Sequence, residues 1–338
     1  MLIKSLLINV LVQGFKYNLC IIILHKVFMI RPDKPKDILK YKNKHERDEN
    51  ITFFEEGHKY VISTDPDTKY LSVTSWNHIH FAPFNDEEII TKMMKGKSWK
   101  PGHKYWGMTK EDIKQLWKSN GQKVSGLGTD LHFDIECFMN DDLVDEDNNS
   151  IPYTQEDLLD VYNDDVSNGK EHYNKSIEWK YFINFITDHT QLKPYRTEWY
   201  IYHDELKLAG SIDMVYELPC GAKAIYDWKR SKEISKYSFW DKFAITSCIK
   251  HIPDLNFWHY SLQLNTYKAI LEDKYGLEIK ELYLVKLHPD NKSNNYELIK
   301  CADLSEEVKL LFEYRLELLN GGKSSSSSSD AVVLEEAH

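Results

Sequence analysis

The stretch Gly210-Ser-Ile-Asp213-Met-Val-Tyr-Glu-Leu-Pro-Cys-Gly221-Ala-Lys-Ala-Ile-Tyr-Asp227-Trp-Lys229 decides how this chain folds. Two runs rich in apolar, β-branched and aromatic residues flank Pro219-Cys-Gly221, which has turn chemistry. The pattern predicts one strand from about Lys207 to Glu217 and another from Lys223 to Lys229. Upstream, Thr197-Glu-Trp-Tyr-Ile-Tyr-His203 alternates as a third strand, so the simplest geometry is an antiparallel meander. Side chains two positions apart share a face, so Ile225, Asp227 and Lys229 point one way and Tyr226 and Trp228 the other. Asp213 lies between Ile212 and Met214-Val215. Acids inside core-like strands cost free energy unless something offsets their burial, and a divalent cation would do so. The alternative is a structural Asp–Lys pair on a sheet surface.

Working outward, Phe257 to Glu272 reads as an amphipathic helix after the break at Pro253, with Gln263 and Tyr267 one turn apart. Leu282-Tyr-Leu-Val-Lys-Leu287 then reads as a core strand in which Lys286 is out of place; it faces a cleft or reaches to the surface. Upstream, Gly128-Thr-Asp-Leu-His132-Phe-Asp-Ile-Glu136 looks like a helix entry capped by Thr129 or Asp130, with His132 and Glu136 on one face. Strands interleaved with helices predict an α/β fold with a mixed central β-sheet flanked by α-helices.

The chain divides into three parts. Residues 1–50 form an apolar then charge-rich extension, with 31–50 expected as a solvated arm and Met29 as a candidate native start. No run in the first 30 residues reaches the roughly 18 apolar residues a membrane span needs, and no small-residue cleavage site follows Ile21–Leu24. The globular part is 51–318, with short β runs around Asp65-Pro-Asp67, helices over 86–120 and an acidic surface insertion at about 140–168. The stretch 319–338, with six consecutive serines, is expected to be a disordered tail.

A net charge of −10 argues mildly against a protein that coats nucleic acid, but says little about one cleft that holds cations. Five scattered cysteines without a CxxC pair give no support to a zinc or iron–sulfur site. Their odd number fits reduced thiols, hence an intracellular, cytoplasmic setting. No GxxxxGK[ST] phosphate loop occurs.

Carboxylates beside a lysine suit phosphodiester hydrolysis. A hard cation on carboxylate oxygens polarises the phosphate and acidifies a water, and a lysine orients that water or stabilises developing charge. In order along the chain come Gly128-x-x-x-His132, Gly210-x-x-Asp213, Asp227-x-Lys229 and Gln263-x-x-x-Tyr267. This series resembles the RecB-type exonuclease branch of the PD-(D/E)XK nuclease superfamily, which includes viral and mitochondrial genome-maintenance exonucleases. Asp227 stands where many members carry Glu. The resemblance covers about 140 residues and reaches 51–120 only loosely.

The resemblance implies a restriction-endonuclease-like core and Mg2+ or Mn2+ held by His132, Asp213, Asp227 and the backbone carbonyl of Trp228. Lys229 is then the catalytic lysine alongside Asp213 and Asp227, with Gln263 and Tyr267 touching DNA or steadying Lys229. Glu198, Glu136 and Lys286 are further candidates. The implied substrate is DNA, as single strands or ends, with a separate helicase, polymerase or recombinase as partner and no membrane. Trp199, Tyr202 and Trp240 are either core or platforms for stacked bases. Competing readings are an endonuclease on the same core, an inactive nucleic-acid-binding subunit, and a carboxylate-pair hydrolase that leaves Lys229, Gln263 and Tyr267 without a role.

Overall fold

The computed structural model describes residues 29–141, 153–237 and 242–321. The readings for 1–28, for much of the acidic insertion, for Trp240 and for the serine-rich tail lie outside these residues. The elements run α1 (Ile38–Lys42), β1 (Ile51–Phe54), β2 (Lys59–Ile62), β3 (Leu71–Ser72), α2 (Val73–His78), α3 (Asp86–Lys95), α4 (Lys110–Met139), α5 (Gln155–Ser167) and α6 (Ile177–Asp188). They continue with β4 (Lys193–His203), β5 (Leu208–Glu217), β6 (Lys223–Lys229), α7 (Asn256–Lys274), β7 (Ile279–Lys286), β8 (Glu297–Lys300) and α8 (Ser305–Gly321).

The meander read from the sequence is present: β4 pairs antiparallel with β5, and β5 with β6. The crossover through α7 makes β7 parallel to β6, as a helical connection requires, and β8 returns antiparallel. Short β3 adds a parallel contact to the start of β5. The result is a mixed six-stranded sheet. β1 and β2 form a separate hairpin.

Helices cover both faces of the sheet. On one face, Ile225, Leu282 and Leu284 pack with Leu262, Ile270 and Leu271 of α7 and Val308 and Leu311 of α8. On the other, Met214, Tyr216, Tyr226, Trp228 and Val285 pack with α4, α5 and α6 through residues such as Ile135, Leu158, Phe182 and Phe185. Ile225 and Tyr226 thus fall on opposite faces, as the two-residue period demands. None of the described helices is long and apolar enough to cross a membrane.

Three expectations are corrected. The helix carrying His132 does not begin near Gly128. It starts at Lys110 behind a Thr109–Asp112 capping box, so Thr129 and Asp130 are interior residues. The acidic stretch before Ser167 is not all surface insertion. Helix α5 buries Leu158 and Leu159, and its Gln155 side chain bonds Tyr216 and the His189 carbonyl. Nor is 31–50 a solvated arm, because Leu39 is buried and Asp48 forms an ion pair with Arg196 of β4 at 2.7 Å. In both segments the charged residues masked the few apolar and paired positions that anchor the chain.

Candidate functional site

Strands β5 and β6 are paired from Met214 to Glu217 against Lys223 to Tyr226, and then the ladder stops. Asp213 and Asp227 are the next residues on each strand, so the carboxylates sit where the sheet forks. The fork is closed by a side chain: the Trp228 amide donates to Asp213 Oδ2 at 2.9 Å. Asp213 thereby replaces the missing backbone acceptor, which fixes its carboxylate against the strand end.

Glu198 arrives from the other side of β5. Its neighbours Thr197 and Trp199 pair with Met214 and Ile212, which sets Glu198 opposite Asp213. Glu198 has a φ of 40°, a left-handed backbone that a non-glycine residue adopts only at some cost, and its carboxylate accepts from the Ser211 hydroxyl at 3.0 Å.

Helix α4 supplies His132. A carbonyl can only accept, so the 2.9 Å contact between His132 Nε2 and the Trp228 carbonyl places a hydrogen on Nε2. Nδ1 is left facing Asp213 Oδ2 at 3.5 Å and Glu198 Oε1 at 3.7 Å. One ligand atom from each of His132, Glu198 and Asp213 lies within 4.8 Å of the others. This is the habit of a metal-binding histidine, whose second ring nitrogen is anchored to a carbonyl or carboxylate. The set differs from the sequence expectation in three respects. Glu198, named only as a further candidate, joins it, Asp227 stands outside it, and the Trp228 carbonyl serves to orient the imidazole.

Asp227 is engaged elsewhere, with Oδ2 2.5 Å from Lys229 Nζ. Their side chains are 4% and 18% exposed, and the Lys229 ammonium also lies 4.7 Å from the centre of the Tyr260 ring. Burial raises the Asp227 carboxyl to about 6, helped by the charge of Asp213 and opposed by Lys229. Asp213 is raised by burial and by Glu198, against the pull of His132 and Lys229. For His132, burial disfavours the charge, yet Asp213 and Glu198 outweigh it and lift the imidazole to about 9. The anions exceed what the neighbouring cations neutralise.

Gln263 and Tyr267 come from α7. The Gln263 amide donates to Tyr267 Oη at 3.0 Å and reaches Thr74 Oγ1 at 3.4 Å. The ring of Tyr267 lies over Gly210: a Cβ there would come within 2.7 Å of Tyr267 Cε1, which explains the glycine. Lys229 is steadied by Asp227 and Tyr260. Tyr260, Gln263 and Tyr267 share one face of α7 at spacings of three and four, so Tyr260 was within reach of the periodicity that picked out the other two.

A cavity of about 680 Å³ opens onto this cluster, lined among others by His132, Glu136, Glu198, Asp213, Gln263 and Tyr267. Glu136, one helical turn from His132, is lifted to about 8 by burial and then by Glu198 and Asp37. Asp227 and Lys229 stand beside this wall and do not line it. Lys286 does not join the site. Opposite Lys229 in the ladder, it pairs with Glu297 at 3.1 Å. Trp199 and Tyr202, at 1% and 3% exposure, are core residues and offer no face to a ligand.

No family model matches the chain, and no curated protein matches it at a significant level. The donor set itself suits a hard divalent cation, with two carboxylates and one imidazole whose Nε2 is anchored and whose Nδ1, once it gives up its proton, faces the carboxylates. Among the described residues a second group of possible ligands, His203, Asp204 and Glu205, is already compensated. Lys274 lies 2.5 Å from Glu205 and Arg47 lies 3.0 Å from Asp204.

Proposed function

We propose that this chain is a divalent-metal-dependent nuclease of the PD-(D/E)XK type, hydrolysing phosphodiester bonds at DNA ends or in single strands. In this reading the forked mixed sheet is the restriction-endonuclease-like core that the four motifs imply, and Mg2+ or Mn2+ is the cofactor. The observation that carries it is the convergence of His132 Nδ1, Glu198 and Asp213 beside the buried Asp227–Lys229 pair.

His132, Glu198 and Asp213 would hold the cation, with Asp227 next to them. Bound there, the cation offsets phosphate charge and lowers the pKa of a water. The chain's own groups do the rest. Asp227 and the Tyr260 ring hold the Lys229 ammonium in one place, so that it can orient the attacking water or stabilise charge developing on phosphorus. Trp228 lends its carbonyl to the imidazole and its amide to Asp213, so the backbone of one residue registers two of the metal-holding side chains. Gln263 and Tyr267 present an amide and a phenol to the strand path along α7.

The test is cleavage of end-labelled linear and covalently closed circular single-stranded DNA in Mg2+, Mn2+ or EDTA. Loss of linear DNA only, abolished by EDTA and by Lys229→Ala, is the expected result. Nicking of the circle makes the protein an endonuclease on the same core. Cleavage that survives EDTA overturns the mechanism.

A further inference from the structure

The cavity is larger than the cation cluster needs, and its other end is aromatic. The β1–β2 hairpin turns through Gly57 and His58, both with positive φ, and brings the His58 ring edge-on to Phe53 at 4.9 Å. Phe53 also lies 4.9 Å from Tyr60 and 5.5 Å from Tyr200 of β4. Behind them, Ile51, Ile62, Tyr70 and Tyr202 form a small core that fixes the hairpin to the sheet. Phe53, His58, Tyr60 and Tyr200 all line the cavity, and Phe53 and Tyr200 are only partly buried.

This wall is continuous with the candidate cation site. Glu198 is among the charges that raise the Tyr60 and Tyr200 phenols, after burial itself. The carboxylates Asp37, Glu55, Glu198 and Asp213 of the lining outnumber Lys40, since Arg196 is already paired with Asp48. Such a wall offers little electrostatic attraction to a bare phosphate, so a ligand that enters must gain its affinity from another contact. Rings with an open face supply it: nucleobases stack on aromatic side chains whatever their sequence. Within a duplex each base face is covered by its neighbours, so only an unpaired base can use this wall.

We propose that the hairpin wall, centred on Phe53, is a stacking subsite for an unpaired nucleobase of the DNA strand whose phosphate faces the His132–Glu198–Asp213 cluster. The inference rests on the nuclease reading for the identity of the strand. It makes single-stranded ends, in preference to blunt duplex, the substrate of that site.

The test measures binding of a fluorescent single-stranded oligonucleotide, and of the same oligonucleotide made abasic near its end, in Ca2+. Cleavage in Mg2+ is followed in parallel. The wild-type protein is expected to bind the abasic strand about tenfold more weakly, the lower part of the range for one stacked base. Phe53→Ala is expected to lose that discrimination, raise KM and leave kcat within twofold, while Phe53→Trp retains all three properties. Matching circular dichroism and unfolding midpoints establish that both variants fold. Cleavage without discrimination between intact and abasic strands overturns the subsite and leaves the nuclease standing. Discrimination without cleavage supports the subsite and overturns the nuclease. If intact strands are neither bound nor cut, both fall.

Discussion

Two buried acidic sites on neighbouring strands show opposite electrostatic characters. At the outer edge of β4, Asp48 and Arg196 are 4% and 3% exposed and lie 2.7 Å apart. Burial opposes the charge on Asp48, yet the Arg196 guanidinium, the His45 amide and the Trp199 indole together hold its carboxyl below the usual range. At the fork between β5 and β6, Asp213 and Asp227 are raised, because burial, with Glu198 acting on Asp213 and Asp213 on Asp227, exceeds what Lys229 and His132 return. In the first site the two charges offset each other, although Arg196 Nε has no hydrogen-bond partner. In the second, burial and crowding work against the carboxylate charges, and perturbed acids of this kind cluster at functional sites. An ion pair that supports structure thus stands beside an acid cluster that, on the proposed nuclease function, holds a cation.

The largest effects follow from breaking each site in turn. Asp213→Asn keeps an oxygen for the Trp228 amide and removes one of the crowded charges. DNA cleavage is expected to fall by at least about 100-fold, the scale for removing one group that stabilises a transition state. The metal-free protein should melt at the same temperature or higher, since a carboxyl whose pKa is raised in the folded state costs stability at neutral pH. Asp48→Ala should do the reverse. It strands the Arg196 guanidinium and lowers stability by about 3–5 kcal/mol in urea titration, with unchanged cleavage per folded molecule. Equal loss of stability in the two variants would erase the distinction.

The same contrast explains what the sequence could reveal. The meander, a helix at Phe257–Glu272 and a strand after it were legible as runs of one type set off by turn and break signals. The helix, Asn256–Lys274, is not amphipathic, however: it buries Ser261, Asn265 and Thr266 along with its apolar residues. Asp213, Asp227 and Lys229 were legible because charges in such runs violate the pattern. The place of Glu198 in the cluster was not, since it depends on the β4–β5 register and a positive φ that no local signal announces. The Asp48–Arg196 pair was hidden for a similar reason. Its members are 148 residues apart, and the segment around Asp48 is otherwise polar. Thr109-x-x-Asp112 did carry the true start of α4 in plain view, but Gly128 drew attention as a break although helix continues through it. The hairpin wall could not be read at all, because only folding brings Phe53 to Tyr200.

His80 extends the comparison to a buried group with no compensating anion. It is 2% exposed, its Nδ1 lies 2.9 Å from the Thr246 hydroxyl, and its Nε2 has no hydrogen-bond partner. Burial and the Arg315 guanidinium depress its pKa to about 4, so the folded protein holds the ring neutral. The unfolded chain takes up a proton near pH 6.5 and the folded chain does not until about pH 4. Stability from this group is therefore complete above pH 6.5 and declines as the pH falls toward 4, by about 3 kcal/mol. His80→Asn should remove that increment. The urea midpoints of variant and wild type are expected to converge between pH 7.5 and pH 4.5, and parallel curves would assign the acid sensitivity to other groups.

The smallest effect probes how closely α7 must approach the fork. Gly210→Ala would drive a methyl group to 2.7 Å from the Tyr267 ring, which is buried and held by Gln263. Neither the strand nor the ring can yield freely, because β5 is paired to β4 at Gly210 and Tyr267 packs in the core. Overpacking of this kind costs about 1–3 kcal/mol. Relief by tilting Tyr267 would carry Gln263 with it, and Tyr260 on the same helix face would shift against Lys229. Cleavage should therefore drop by no more than about tenfold, much less than for Asp213→Asn, because no charged group of the fork is removed. Tyr267→Phe in the Gly210→Ala background should restore little stability or rate, since the closest approach, 2.7 Å, is to a ring carbon and the hydroxyl is farther at 3.2 Å. Tyr267→Leu should recover part of the stability by vacating the space over residue 210. If Gly210→Ala melts with the wild type, the approach of α7 to β5 is looser than 2.7 Å implies.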